Sequence, residues 1–453
     1  MTIIINGLCW VPKGFVTPEL LIQFTYVNPF DEEPIVSYRE HLNGFIGFPI
    51  GGLEIIKKFI TEPIVLEDQR VSPKFKKKVT VKFGEPREYQ TKAIEELKQV
   101  DRCIFTAPTS SGKSTSIAFL AQELGVKMLV VSHLTTLLQQ IEEELNSFLT
   151  ADIQRITSNT FILPDIALVT VQTLNRSPRL SKLCQKAFGV VYVDEFENLL
   201  STNYVDALQR LHAKRLILTS ATPSRDLVGL TPLVHHLATD VVNMVPTENA
   251  IVPVTVLSTQ VELKASIPRD LRIRAKALQR FFPTVRPSVL QVANIILQNT
   301  EDIGIWIICN IKYEQEYYAQ HLKGVVIASH IGKKKREEGL QQFKDGDVRV
   351  IIGSATMSAG ISLPPIGFAL RVCTHSSSSE LFTQQIGRLR RKHPLKIRGL
   401  FIDFLYHGLM DSTRKSALRN LNTLDKTHRI SYKTLVHTLK SKLTGFKEKS
   451  NGN

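Results

Sequence analysis

The rhythm of apolar and polar positions changes four times along the chain. Over residues 1–83, short alternating runs such as Leu20–Val27 lie between Gly and Pro breaks, which predicts brief strands and turns. Trp10, Phe15, Phe24, Tyr26, Phe30, Tyr38, Phe45, Phe48 and Phe59 supply the core expected of a small α+β domain. From about 84 to 240 wholly apolar runs alternate with amphipathic stretches. Cys103–Phe105, Met128–Val131, Ile166–Val169, Val190–Val193 and Leu216–Leu218 read as buried strands of a parallel sheet with crossover helices. Residues 241–285, with Pro246, Pro253, Pro268 and Pro283, read as a linker with some structure of its own. The strand–helix alternation returns over 286–406, through Ile305–Ile308, Val325–Ile327, Val348–Ile352, Ala369–Val372 and Gly399–Ile402. Residues 407–453 read as a basic helical tail with a frayed end. The two α/β halves are not repeats in sequence, yet each could carry the same topology.

Composition narrows the class. The chain has 453 residues, 43% hydrophobic and 22% charged, which excludes a collagen-like, an acidic disordered or a small disulfide-rich protein. Lys and Arg number 57 against 42 Asp and Glu, a net charge of +15. That surplus favours a polyanionic partner, with nucleic acid ahead of an anionic membrane surface. The five cysteines are scattered with no C-x-x-C pair, which fits a reducing compartment. No apolar run approaches the ~18 residues of a membrane span, and Met1–Gly7 lacks the basic start of a signal peptide. The expectation is an intracellular, cytoplasmic protein.

Two motifs carry chemistry. Ala107-Pro108-Thr109-Ser110-Ser111-Gly112-Lys113-Ser114 follows a predicted strand and opens a predicted helix. It fits the phosphate-loop pattern G-x-x-x-x-G-K-[ST] except for Ala107 at the first Gly. Such a loop turns backbone N–H groups onto phosphate oxygens at a helix N-terminus. Pro108 to Thr115 are the candidate nucleotide contacts: Lys113 for the outer phosphates and Ser114 for Mg²⁺. The second motif, Val190 to Glu195, is an apolar strand ending in two carboxylates. Asp194 is the candidate Mg²⁺ partner and Glu195 the candidate base for the attacking water.

With these placed, the chain from about 84 to 405 resembles a superfamily 2 helicase. The resemblance implies two RecA-like parallel-sheet domains in tandem, preceded by the small α+β domain. Pro86 to Gln90 resembles the adenine-reading segment, with Arg87 and Gln90 as its contacts. Ser132-His133 and Gln172-Thr173 resemble backbone-contacting segments of the first motor domain, and Ser220-Ala221-Thr222 the segment that couples hydrolysis to movement. In the second domain Asn310 and Thr356 are implied strand contacts, and Gly360 an implied nucleotide contact within a motif V-like stretch where Ser362 replaces the usual Asp. Gln384-x-x-Gly387-Arg388-x-x-Arg391 matches Q-x-x-G-R-x-x-R, which implies that Arg388 and Arg391 reach the γ-phosphate across a cleft between the domains and that Gln384 is a further catalytic residue.

Asp194-Glu195-Phe196-Glu197 departs from the DEAD-box pattern and leans toward DNA translocases. Layout and length are similar to the phage branch-migration helicases. The expected activity is ATP- and Mg²⁺-dependent movement of a monomer on DNA, with forked, branched or single-stranded substrates. An RNA helicase, a restriction-type duplex translocase and an ATP-gated binding module stay open. Lys74, Lys76, Lys77 and Lys78 are candidate phosphate grips with Phe75 as a stacking residue, or else a charged linker. Lys333–Arg336 is either a strand contact or a solvated helix face.

Overall fold

The computed structural model describes residues 1–27, 34–41, 43–108, 111–199, 201–220, 234, 236–246, 252–261, 271–354, 366–372, 379–390, 398–406 and 426–450. Contacts divide the chain into two compact units, Met1–Pro246 and Thr247–Asn453.

The first unit opens with strands β1 (Thr2–Ile5), β2 (Cys9–Pro12), β3 (Thr25–Val27), β4 (Pro34–Val36), β5 (Arg39–His41), β6 (Phe45–Phe48) and β7 (Val65–Asp68), with helices α1 (Pro18–Ile22) and α2 (Leu53–Phe59). Five of these strands form a mixed sheet in the order β5-β6-β2-β1-β7. Its buried face is Ile3, Ile5, Val11, Ile46 and Phe48, closed by Leu20, Phe24 and Ile56. This is the expected small α+β layer, and its aromatics divide: Phe24 and Phe48 are buried, whereas Phe15 is exposed.

Its large sheet contains β8 (Arg102–Thr106), β9 (Met128–Ser132), β10 (Ile153–Arg155), β11 (Ile166–Thr170), β12 (Val190–Val193), β13 (Arg215–Ser220) and β14 (Asp240–Asn243). The helices are α3 (Glu88–Gln99), α4 (Lys113–Leu124), α5 (Thr135–Phe148), α6 (Val171–Arg176), α7 (Pro178–Cys184) and α8 (Thr202–Gln209). Every ladder is parallel, in the order β10-β11-β9-β12-β13-β8-β14. Helices cover both faces of such a sheet, which is why its strands are apolar throughout instead of alternating; β8, β9 and β12 are buried at every residue.

Residues 70–82 form a strap along the sheet. The N–H of Val71 donates to the carbonyl of His212 at 2.8 Å, that of Lys127 to Pro73 at 2.8 Å and that of Phe75 to Gly125 at 3.1 Å. Gly189 is needed where the strap crosses, because a Cβ there would sit 3.0 Å from Ser72 Cα. These partners precede the first residues of β9, β12 and β13, so the strap follows the N-terminal edge of the sheet.

The second unit repeats the architecture with β15 (Val254–Val261), β16 (Gly304–Ile308), β17 (Val325–Ile327), β18 (Val350–Gly353), β19 (Ile366–Val372), β20 (Gly399–Tyr406) and β21 (Lys426–Ile430). Its helices are α9 (Leu271–Asn299), α10 (Lys312–Leu322), α11 (Lys333–Asp345), α12 (Ser379–Leu389) and α13 (Tyr432–Ser450). The order is β17-β18-β16-β19-β20-β15-β21, again all parallel. Val285, Val289, Val292 and Ile296 of α9 and Leu435, Leu439 and Leu443 of α13 share one core cluster. Their i, i+3, i+4 spacing gives each helix one apolar stripe.

Two expectations of segment type are corrected. Residues 241–285 are not a connector: they hold most of the edge strand of the first sheet, an interior strand of the second and the first half of α9. Residues 407–453 are not only a helical tail, since Lys426–Ile430 adds an edge strand. Among the described residues no helix is long and apolar enough to cross a membrane.

Candidate nucleotide and strand-contact site

The C-terminal edge of the first sheet gathers the ends of β8, β9, β11, β12 and β13, where open parallel sheets carry their ligands. Beyond β8, Ala107 is fully buried and its N–H donates to the Ser220 carbonyl at 3.1 Å, tying the loop to the end of β13. Gly112 is the N-cap of α4 with φ +88, a left-handed conformation natural to glycine. A Cβ at Gly112 would also collide with the Gln90 amide. Gly112 gives α4 no side-chain cap, so the first-turn N–H groups of a helix that begins at Lys113 face outward, as anion binding requires.

Lys113 Nζ lies 4.0 Å from Asp194 Oδ1. Asp194 is nearly buried at the end of β12, and Thr219 Oγ1 of β13 donates to Asp194 Oδ1 at 3.1 Å. Beside it Glu195 adopts φ +50, costly for a residue with a side chain and held by its surroundings. His133 Nδ1 stands 4.0 Å from Glu195 Oε2. Burial holds the His133 imidazole below its ordinary pKa, with Asp194 pulling the other way. Ser220 Oγ donates to Glu197 Oε1 at 3.2 Å.

Strand-contact candidates sit on the same edge. The amide of Gln172 donates to the His133 carbonyl at 3.2 Å, and the Thr170 side chain caps α6 through the Thr173 N–H at 3.2 Å. Ser132 Oγ and Gln172 Oε1 are buried without a hydrogen-bond partner.

Some expected residues are used differently. Gln90 is almost fully buried: its amide faces the carbonyls of Ser111 and Gly112 at 3.3 Å each, and its oxygen accepts from the Arg87 N–H at 2.9 Å. It therefore braces the phosphate loop in this structure. The lysines 74, 76, 77 and 78 belong to the strap, on the sheet edge opposite the loop; Lys74 Nζ donates to the Leu124 carbonyl at 3.3 Å. The structure does not bring them together with Gln172 and Thr173, and the run is not a free linker. In the second unit Asn310 follows β16 and is exposed, while Arg388 is half-buried on α12, the helix that also carries Gln384. Lys334 and Lys335 are exposed in the first turn of α11. Thr109, Ser110, Ala221, Thr222, Thr356, Gly360, Ser362 and Arg391 lie outside the described residues.

Four supporting residues were not foreseen. Tyr89 donates to the Ser111 carbonyl at 2.9 Å, and Thr219 holds Asp194. Met244 donates its N–H to the Thr106 carbonyl at 2.8 Å, while Asn243 accepts from Thr106 Oγ1. The Val241-Val242 pair before Pro246 was the available signal for this edge strand.

Comparison with known proteins agrees with this layout. Residues 83–225 match the family model for the res subunit of type III restriction enzymes, and residues 289–393 match the helicase conserved C-terminal domain. The DNA 3'-5' translocase XPB2 of Sulfurisphaera tokodaii is 24% identical over 426 residues, covering 83% of this chain and 94% of that protein. The ATP-dependent helicase Lhr-Core of Methanocaldococcus jannaschii is 25% identical over 426 residues; the match covers 84% of this chain and only 49% of that relative. In fold, the chain is similar to S. cerevisiae Dbp5 bound to RNA and ADP BeF3, with TM-score 0.56, 15% identity, and coverage of 80% of this chain and 95% of that one. It is also similar to the Pyrococcus furiosus Hef helicase domain, with TM-score 0.51, 13% identity, and coverage of 74% and 98%. The two RecA-like domains in tandem are those of a superfamily 2 helicase or translocase, a nucleic-acid motor that uses ATP.

Proposed function

We propose that this motor acts on DNA, hydrolysing ATP in its first motor domain to move along one strand. The observation that carries the reading is Lys113 facing Asp194 at 4.0 Å across a helix N-terminus left open by Gly112. A phosphate chain laid there meets Lys113 and the outward N–H groups, while Glu195 is set to orient and deprotonate the attacking water. The donor chemistry fits Mg²⁺: a hydroxyl and a carboxylate are hard oxygen ligands, and Asp194 already faces a cation in Lys113. Ser114 and Asp194 would hold the ion, which supplies charge neutralisation on the phosphates. Arg388 and Arg391 take the charge-stabilising role that the resemblance implies.

The preference for DNA rests on Phe196-Glu197 and on the similarity to a DNA translocase. That relative's name also supports 3'-to-5' movement. Branch migration by a monomer, with residues 1–83 selecting forks or junctions, is the finer reading, supported by layout alone. The test is ATP turnover measured side by side with single-stranded, duplex, forked and four-way DNA and with RNA. DNA is expected to stimulate turnover, forks and junctions most. Stimulation by RNA alone would transfer the protein to the RNA helicases.

A further inference from the structure

The loop between β10 and β11 shows a surface that the motor reading does not use. It leaves β10 at the C-terminal edge, where the Ile156 N–H donates to the Leu168 carbonyl at 2.8 Å. It then closes a tight turn, with the Thr160 N–H on the Thr157 carbonyl at 3.0 Å and the Thr157 N–H on Thr160 Oγ1 at 2.9 Å. At its tip Phe161 is 76% exposed and Ile162 80%, whereas the next residue, Leu163, packs on the domain core. Large apolar side chains held so far into water in a braced turn are unusual for a loop that only connects.

Arg179 of α7 does the bracing. Its guanidinium donates to the carbonyls of Ser158 and Thr160, the latter at 3.0 Å, and lies 4.2 Å from the Phe161 ring centroid. One face of the ring is thereby covered by a cation, and the remaining ring surface is open. Helix α7 is tied to α6 through Ser177, whose N–H donates to the Thr173 carbonyl at 3.2 Å. The tip is thus built on the frame that carries Gln172 and Thr173. The cations nearest the tip in sequence are Arg176 and Arg179. Arg155, at the end of β10, is paired with Glu142 at 2.6 Å, and Asp165 pairs with Lys127 at 3.6 Å near the opposite sheet edge.

We infer that Phe161, backed by Arg179, is a stacking platform for an unpaired base of the strand that α6 contacts, with Ile162 packing at the base edge. An exposed aromatic ring backed by a guanidinium suits sequence-tolerant single-strand binding, because every base presents a π-face. This rests on the motor reading, and the experiment separates the two.

The full chain is titrated, at several salt concentrations, with a single-stranded oligonucleotide carrying 2-aminopurine, then with the same strand made abasic at that position. Phe161→Ala and Phe161→Trp are compared with the wild type. Wild type and Phe161→Trp are expected to quench the fluorophore. Phe161→Ala is expected to bind about tenfold more weakly and without quenching. Its salt slope stays unchanged, because phosphate contacts are untouched, and so does its ATP turnover without nucleic acid. The abasic strand should bind wild type and Phe161→Ala alike. Equal affinity and quenching in wild type and Phe161→Ala, with strand-stimulated ATPase intact, would overturn the platform and leave the motor. A wild type that binds no strand would overturn both.

Discussion

The two large sheets have one topology and opposite uses. Adding seven to each strand number of the first, β10-β11-β9-β12-β13-β8-β14, yields the second, β17-β18-β16-β19-β20-β15-β21. The strand pair β12/β13 therefore corresponds to β19/β20. In the first sheet that pair ends in Asp194 held by Thr219, a carboxylate at the rim facing Lys113. In the second, the buried charge lies within the strands: Arg371 and Asp403 are register partners, and Arg371 Nε donates to Asp403 Oδ1 at 3.0 Å. Burial pulls the Arg371 guanidinium downward, and the rings of Phe382 and Phe401 lie near it, 4.6 and 5.5 Å from ring centroid to guanidinium carbon. A carboxylate at the rim can meet ligand. One sealed between strands can only hold its partner.

That contrast can be broken in order of size. Asp194→Ala should lower ATP turnover on the order of 10²-fold or more while the melting midpoint barely moves. Asp403→Ala should do the reverse in kind. It strands a buried guanidinium at a cost of about 3–5 kcal/mol, read as a lower denaturation midpoint, while nucleotide still binds the first domain. If Asp403→Ala leaves stability intact, the pair is not structural in the sense argued here. Thr219→Val removes the hydrogen bond to Asp194, worth about 1 kcal/mol, so kcat should fall roughly fivefold without a change in folding.

The smallest effect concerns pH. Burial lowers the pKa of His133 in the fold, so below the ordinary histidine range the unfolded chain binds more protons than the folded one. His133 therefore costs nothing above that range, and stability falls as pH drops through it. His212, shifted the same way by burial, adds to the trend. Denaturation midpoints at pH 7.5 and 5.5 should differ less in His133→Gln than in the wild type; an identical difference would refute the assignment.

How much of this was legible in the chain follows from where burial is complete. β9, β12, β16 and β18 are covered on both faces and read as apolar runs rich in Val, Ile and Leu, with Tyr192 in β12 and Trp306 in β16. The strands that were missed lie where coverage is partial or the flanks mislead. Asp240–Asn243 and Lys426–Ile430 are edge strands, polar because one side meets solvent. Val254–Val261 is interior, but Pro253 and its Thr, Ser and Gln positions resemble a linker. Chemistry was clearer than placement. Gly112, Lys113 and Asp194 lie where their spacing implied, because the loop and the acid each follow a buried strand. The placement of Lys74–Lys78 was not legible, because composition says nothing about which edge of a sheet a strap will follow.

The central claim is that Lys113, Asp194 and Glu195 hydrolyse ATP in the first motor domain. Steady-state ATP turnover of Lys113→Ala, with and without single-stranded DNA, tests it most directly. The account predicts that turnover falls to background in both conditions while the protein stays folded. Turnover equal to the wild type, still rising with DNA, would contradict it.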